Sequence, residues 1–186
     1  MMKKIILASA SPRRKELMEQ AGYEFEIRVS HKEERYTSTE PAEIVKELAL
    51  LKASDIASQE ADAIVIGADT IVAIDGKILG KPASKKEAFE MIQNMQGKKH
   101  QVYTGVAILD GEKRVNHAVR TDVYVNPMTE EEILDYIESE NVMDKAGAYG
   151  IQGRFGIHIE KIDGDYYNVV GLPISYIYSQ LKEMGM

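Results

Sequence analysis

Apolar and polar positions alternate with two periods along the chain, and the alternation predicts strands and helices in turn. Residues 3–8 read as a strand, 12–21 as a helix closed by Gly22, and 24–29 as a second strand. A polar stretch over 30–39 follows. Residues 41–58 carry a helical stripe through Ile44, Val45, Leu48, Leu51 and Ile56. Residues 63–68 are nearly all apolar, as in a strand buried on both faces at the centre of a sheet. Residues 71–74 and 77–79 flank Asp75-Gly76, a hairpin turn, and 85–95 form a helix closed by Gly97. Two longer strands, 101–109 and 113–125, are joined by Asp110-Gly111 as an antiparallel ribbon. A helix over 130–139, a strand over 157–162 ending at Asp163-Gly164, and a terminal helix over 174–184 complete the pattern. No repeat, low-complexity tract or flexible linker interrupts it, so residues 1–186 are expected to form one α/β domain around a mixed sheet.

Composition narrows the function classes. The 186 residues are 44% apolar and 28% charged, as in a soluble globular protein. A net charge of -7 argues against a broad nucleic-acid or anionic-membrane face while leaving room for a local basic pocket, which suits a nucleotide. With no cysteine there is no disulfide framework or thiolate metal site, and His31, His100, His117 and His158 lack zinc-ligand spacing. The amino terminus has no signal-type apolar run, and no apolar stretch reaches the ~18 residues of a membrane span, so a cytoplasmic location is expected.

Chemistry concentrates at a few places. Ser9, Ser11, Pro12, Arg13 and Arg14 sit where the first strand gives way to the first helix. Ser11 is suited to the N-cap and Pro12 to the first turn, which puts Arg13, Arg14 and Lys15 where the helix dipole disfavours cations. An anion would offset them, and backbone N–H groups with two guanidinium forks would make a polyphosphate site; a solvated basic turn fits the same residues. Asp69 follows the buried run at the expected carboxyl end of a central strand, the edge at which open α/β sheets bind ligands. Gly67 and Ala68 would let a substrate come close. Asp69 with Thr70 serves a turn equally well. Lys52 shares the apolar stripe of its helix with Val45 and Leu48, so it must snorkel or meet an anion. Lys81, in Gly80-Lys81-Pro82, follows the hairpin and either points into a cleft or is an ordinary loop lysine. Glu33 and Glu34 suit a hard cation such as Mg²⁺, or are merely solvated charge. The glycine-rich run from Asp144 to Gly153 would let backbone pass near a ligand, and the Gln152 amide offers the acceptor and donor that match N3–H and O4 of uracil or thymine, unless it is a surface glutamine.

Five segments together resemble the Maf family of nucleotide pyrophosphatases: 7–14 (LASASPRR), 66–70 (IGADT), 80–82 (GKP), 144–153 (DKAGAYGIQG) and 162–173 (IDGDYYNVVGLP). The resemblance runs from about residue 4 to about residue 180, and the order and spacing of all five segments agree. It implies a mixed twisted sheet flanked by helices, with two lobes around a cleft, similar to the inosine triphosphate pyrophosphatase fold. It also implies hydrolysis of a nucleoside triphosphate to the monophosphate and pyrophosphate, with a divalent cation, Mg²⁺ before Mn²⁺. The position of Asp69 is then the proton acceptor, and the paired carboxylates give Glu33 or Glu34, together with Asp69, as the expected metal ligands. Ser9, Arg13, Arg14, Lys52 and Lys81 bind phosphates, and Arg13, Thr70 and Gln152 bear on base choice. Members that prefer 7-methyl-GTP carry an extra residue before the arginine pair, Gln in place of Thr70 and Glu in place of Gln152. The chain therefore looks like the dTTP/UTP branch, with CTP and modified pyrimidine nucleotides as further candidates. A 7-methyl-GTP pyrophosphatase and a non-enzymatic regulator of septum formation are the alternatives. A homodimer is implied, without nucleic-acid or membrane partners.

Overall fold

A computed structural model describes residues 3–186. Its elements follow the order β1 (Lys4–Leu7), α1 (Pro12–Gln20), β2 (Phe25–Ile27), α2 (Pro41–Ala57), β3 (Ala63–Ile74), β4 (Lys77–Leu79), α3 (Lys85–Met95), β5 (Lys99–Asp110), β6 (Lys113–Val125), α4 (Glu130–Ser139), β7 (Ile159–Asp163), α5 (Tyr166–Val170) and α6 (Ile174–Glu183). Seven strands form a mixed sheet in the order β2-β1-β3-β5-β6-β7, with β4 also paired to β3. The expected fold class is the observed one: β1 runs parallel to β2 and β3, while the β3–β4 and β6–β7 pairs are antiparallel. Among the described residues no helix is long and apolar enough to cross a membrane.

The chain divides into two compact units. The first runs through Thr70 and adds Thr104–Val119 and Gly171–Met186; the second comprises Ile71–Tyr103 and Arg120–Val170. In the first unit a core including Ile6, Val65, Ala49, Ala53 and Ala107 lies between α2 and the sheet. The helix lies against the strands because two glycines remove the side chains that would hold it away. A Cβ on Gly67 would fall 2.4 Å from the Ala49 carbonyl oxygen, and one on Gly105 would fall 2.1 Å from that of Val45. Both are impossible contacts with backbone. Gly67 is therefore small to admit a helix, which corrects the expectation that it clears a path for substrate.

The strand expected to end before Asp69 runs on to Ile74, joining the expected 63–68 and 71–74 runs into one. Asp69 and Thr70 are its only two positions that are not buried. The β1 register covers Ala63 to Ile66 and the β4 register Val72 to Ile74, so Asp69 and Thr70 lie in the gap between two partners. Polar residues are tolerated in the middle of an apolar strand where the neighbouring strand changes. The hairpin turn is as expected: Asp75 and Gly76 both have positive φ, 49° and 73°, as a two-residue turn of type I′ requires.

The second unit centres on α3, α4 and a cluster that includes Phe155, Tyr149 and Met95. Residues 154–158, partly read as strand, form a 3-10 turn before β7, and the run after Asp163-Gly164 contains the five-residue α5, too short to show a helical stripe. A Cβ on Gly147, whose φ is 69°, would fall 3.0 Å from Val72 Cγ2, so the Asp144–Gly153 segment turns directly against a core strand. His100 is wholly buried in this unit, with Nε2 2.6 Å from the Tyr149 hydroxyl and, among the described residues, no hydrogen bond at Nδ1. Burial pushes its pKa down to about 4, against a smaller upward pull from Asp122.

Two measurements follow from this packing. Gly105→Ala is expected to lower the unfolding free energy by about 3 kcal/mol or to prevent folding, whereas Gly80→Ala, which meets open space, changes it by under about 1 kcal/mol in urea titration. His100 binds its proton in the unfolded chain near pH 6.5 but in the folded chain only near pH 4, so its contribution is complete above pH 6.5 and lost on acidification through that window. It should remove about 2 kcal/mol between pH 7 and pH 5, and His100→Gln should flatten that slope.

Candidate active site

The first unit gathers most of the chemically suggestive residues. Lys52 projects from α2 beside the Gly67 contact, and its Nζ lies 2.5 Å from Asp69 Oδ1 and 2.9 Å from Glu34 Oε1. Of the two outcomes open to a lysine on an apolar stripe, snorkelling or meeting an anion, it meets a pair of carboxylates. Glu34 belongs to the element-free segment between β2 and α2, and α2 holds that segment on either side of it. Ser30 Oγ donates to Asp55 at 2.7 Å, while Thr37 N–H donates to Glu47 Oε2 at 2.6 Å and Ser38 N–H to its Oε1 at 3.2 Å. Asp55 and Glu47 were not singled out from the sequence, because an acid on a helix face reads as ordinary solvated charge. Their signal was present: eight residues apart, they flank Lys52 on the same helix.

Arg14 is the second organising group. Its Nε donates to the Gly171 carbonyl at 2.7 Å, one terminal nitrogen to Ser9 Oγ at 3.1 Å and the other to Thr70 Oγ1 at 3.0 Å. Desolvation pulls its pKa below the usual guanidinium range, and the Asp69 carboxylate opposes that shift. Thr70 Oγ1 also lies 2.9 Å from Oγ1 of Thr104, which is fully buried on β5. Thr104 and Gly171 were invisible from sequence, since each acts through a partner far along the chain. Ser9 Oγ accepts from Arg14 and from Ser11 N–H at 3.3 Å, which engages both lone pairs and leaves its own O–H to donate. A buried hydroxyl limited to donation suits an anionic acceptor. Ser11 does stand at the N-cap, but its side chain makes no capping bond, and the first turn of α1 contains no acid. That turn thus presents N–H groups and the cations Arg13, Arg14 and Lys15 together.

The remaining candidates are placed elsewhere. Glu33 pairs with Arg35 through Nε at 3.0 Å and is 72% exposed, apart from the Lys52 cluster that holds Glu34. Lys81 and Gln152 belong to the second unit and are exposed. There, Gly147 N–H donates to the Gly80 carbonyl at 3.0 Å, so the Lys81 segment and the glycine-rich run are tied to one another. Among the described residues no three acidic, histidine or cysteine side chains cluster as a ready metal cage. Asp69 and Glu34 are nonetheless two oxygen donors converging on one cationic point, which fits a hard divalent ion completed by phosphate oxygens.

The family model for Maf-like proteins matches residues 4–184. The chain belongs to the Maf-like protein family. Over all 186 residues it is 54% identical to a protein of Bacillus anthracis named dTTP/UTP pyrophosphatase, covering 97% of that protein. A Bacillus cereus protein of the same name is also 54% identical over the whole chain and is 92% covered. The solved structure of the Staphylococcus aureus Ham1 protein aligns with 98% of this Maf-like chain and 100% of its own, with a TM-score of 0.56 and 13% identity. That likeness is one of fold. It agrees with the inosine triphosphate pyrophosphatase-like architecture expected from the five segments.

Since three of its donors are committed within the protein, Arg14 in this Maf-like chain should matter to stability as well as to any ligand. Arg14→Lys, which cannot reproduce the planar fork, is expected to cost on the order of 1–3 kcal/mol in chemical denaturation. A variant as stable as the parent would show that the bonds to Gly171, Ser9 and Thr70 contribute nothing net.

Proposed function

We propose that this chain hydrolyses dTTP and UTP to the nucleoside monophosphate and pyrophosphate. The observation that carries the reading is the Asp69 carboxylate, held by Lys52 at 2.5 Å in the same unit as a cation-rich helix N-terminus and the donor hydroxyl of Ser9. The names of the Bacillus relatives support the reaction and the pyrimidine preference.

In the reaction a water oxygen bonds to the α-phosphorus, the bond from that phosphorus to the bridging oxygen breaks, and pyrophosphate leaves with the electron pair. Asp69 takes the proton of the attacking water at a carboxylate oxygen. Lys52 holds that carboxylate in place until substrate arrives. Ser9, Arg13, Arg14 and the first turn of α1 stabilise phosphate charge, with Lys81 as a further cation. Asp69 and Glu34 would hold a divalent ion, which when bound supplies charge neutralisation on phosphate oxygens and a more acidic water. Mg²⁺ suits the oxygen-only donors, and Mn²⁺ is the alternative. Gln152 reads the base by pairing its amide with N3–H and O4, Thr70 and Arg13 bear on the same choice, and the working form is a cytoplasmic homodimer.

Pyrophosphate release from dTTP, UTP, CTP, GTP and 7-methyl-GTP tests the assignment, and dTTP and UTP should rank first. Asp69→Asn should lower kcat by roughly 100-fold or more with KM within a few fold. A variant that keeps a tenth of the parental kcat would remove Asp69 from the role of base. Gln152→Glu should lower kcat/KM for dTTP and UTP about 5- to 150-fold while affecting purine substrates less, because a carboxylate loses the donor to O4. An unchanged ranking would mean that Gln152 does not read the base.

A further inference from the structure

Lys52 stands where a divalent ion would stand. Its ammonium lies within hydrogen-bond distance of two carboxylates from distant parts of the chain, Asp69 on β3 and Glu34 in the segment before α2. Two features make this arrangement reversible. The Lys52 and Asp69 side chains are only 17% and 13% exposed, but the Glu34 side chain is 58% exposed, so its pairing with Lys52 is weak enough to exchange. Lys52 also has a flexible four-carbon stem, which can carry the charge from one anion to another without moving the helix.

We propose that Lys52 is a place-holding cation that neutralises Asp69 and Glu34 while the site is empty and yields to a divalent ion when the substrate's polyphosphate offers the ammonium another anion. Metal and polyphosphate then bind with positive coupling, because each removes an obstacle to the other. The bare protein resists loading with metal, and the two carboxylates are not left repelling one another. This rests on the assignment of Asp69 and Glu34 to the metal, but its test does not require turnover.

The experiment is Mn²⁺ binding to the nucleotide-free protein, followed by the paramagnetic resonance of free Mn²⁺. Lys52→Gln and Lys52→Met should each bind at least about tenfold more tightly than the parent, the size of effect expected when a cation adjoining carboxylates is removed. Adding Glu34→Gln to either variant should abolish the gain. Unchanged or weaker binding in both variants would overturn the proposal, and so would a gain that survives Glu34→Gln. A measurement on the unaltered protein guards against misfolded variants. Mn²⁺ should accelerate acylation of the Lys52 amine, read by peptide mass spectrometry, and an unchanged rate at saturating Mn²⁺ would equally refute displacement. Failure of the parent to release pyrophosphate from any nucleotide would instead refute the proposed reaction and leave these binding results standing.

Discussion

The seating of α2 directly on the backbones of β3 and β5 is the constraint on which the rest of the first unit depends. Gly67 and Gly105 lack the Cβ atoms that would strike the helix backbone, and Ala49 and Ala53 complete a small-residue contact. That closeness decides what Lys52 can reach. With the helix a side-chain layer further out, an ammonium beginning on α2 would not meet a carboxylate in the middle of β3. The same helix holds the 30–38 segment through Asp55 and Glu47, and so brings Glu34 to the same ammonium. One tight contact therefore assembles three charged groups from three regions of the chain.

Arg14 solves a different problem. A cation in the first turn of a helix is opposed by the dipole, and this one is also partly withdrawn from water. Its three donor bonds, to the carbonyl before Leu172, the Ser9 hydroxyl and the Thr70 hydroxyl, offset that opposition. By filling the acceptor capacity of Ser9 it also sets the polarity of what that residue can offer. The phosphate-binding surface proposed above would thus be shaped partly by bonds that never touch phosphate.

Most of the architecture was legible in the pattern of apolar positions, since helices with clear stripes and hairpins with Asp-Gly turns are locally determined. The element bounded by Lys85 and Met95 and that bounded by Glu130 and Ser139 match expectation to the residue. The continuity of β3 through Asp69 and Thr70 was not legible, because two polar residues in an apolar run look like a break unless the change of strand partner is known. The role of Gly67 was misread for a related reason: a sequence shows that space is made but not what fills it. The stripe leaves Lys52 either to snorkel or to meet an anion, and it meets two carboxylates; Asp69, expected at the carboxyl end of a strand, lies within β3 instead. The bonds from Arg14 to Gly171 and Thr70, and the contact of Thr70 with Thr104, depend on separations of 157, 56 and 34 residues, which no local pattern encodes.

The proposed chemistry lies at the α-phosphorus, with Asp69 drawing a proton from water. Turnover of dTTP in water enriched in oxygen-18 tests this most directly, with both products analysed by mass spectrometry. One labelled oxygen should appear in thymidine monophosphate and none in pyrophosphate. Label in pyrophosphate, or release of labelled orthophosphate, would place the attack on another phosphorus and contradict the account.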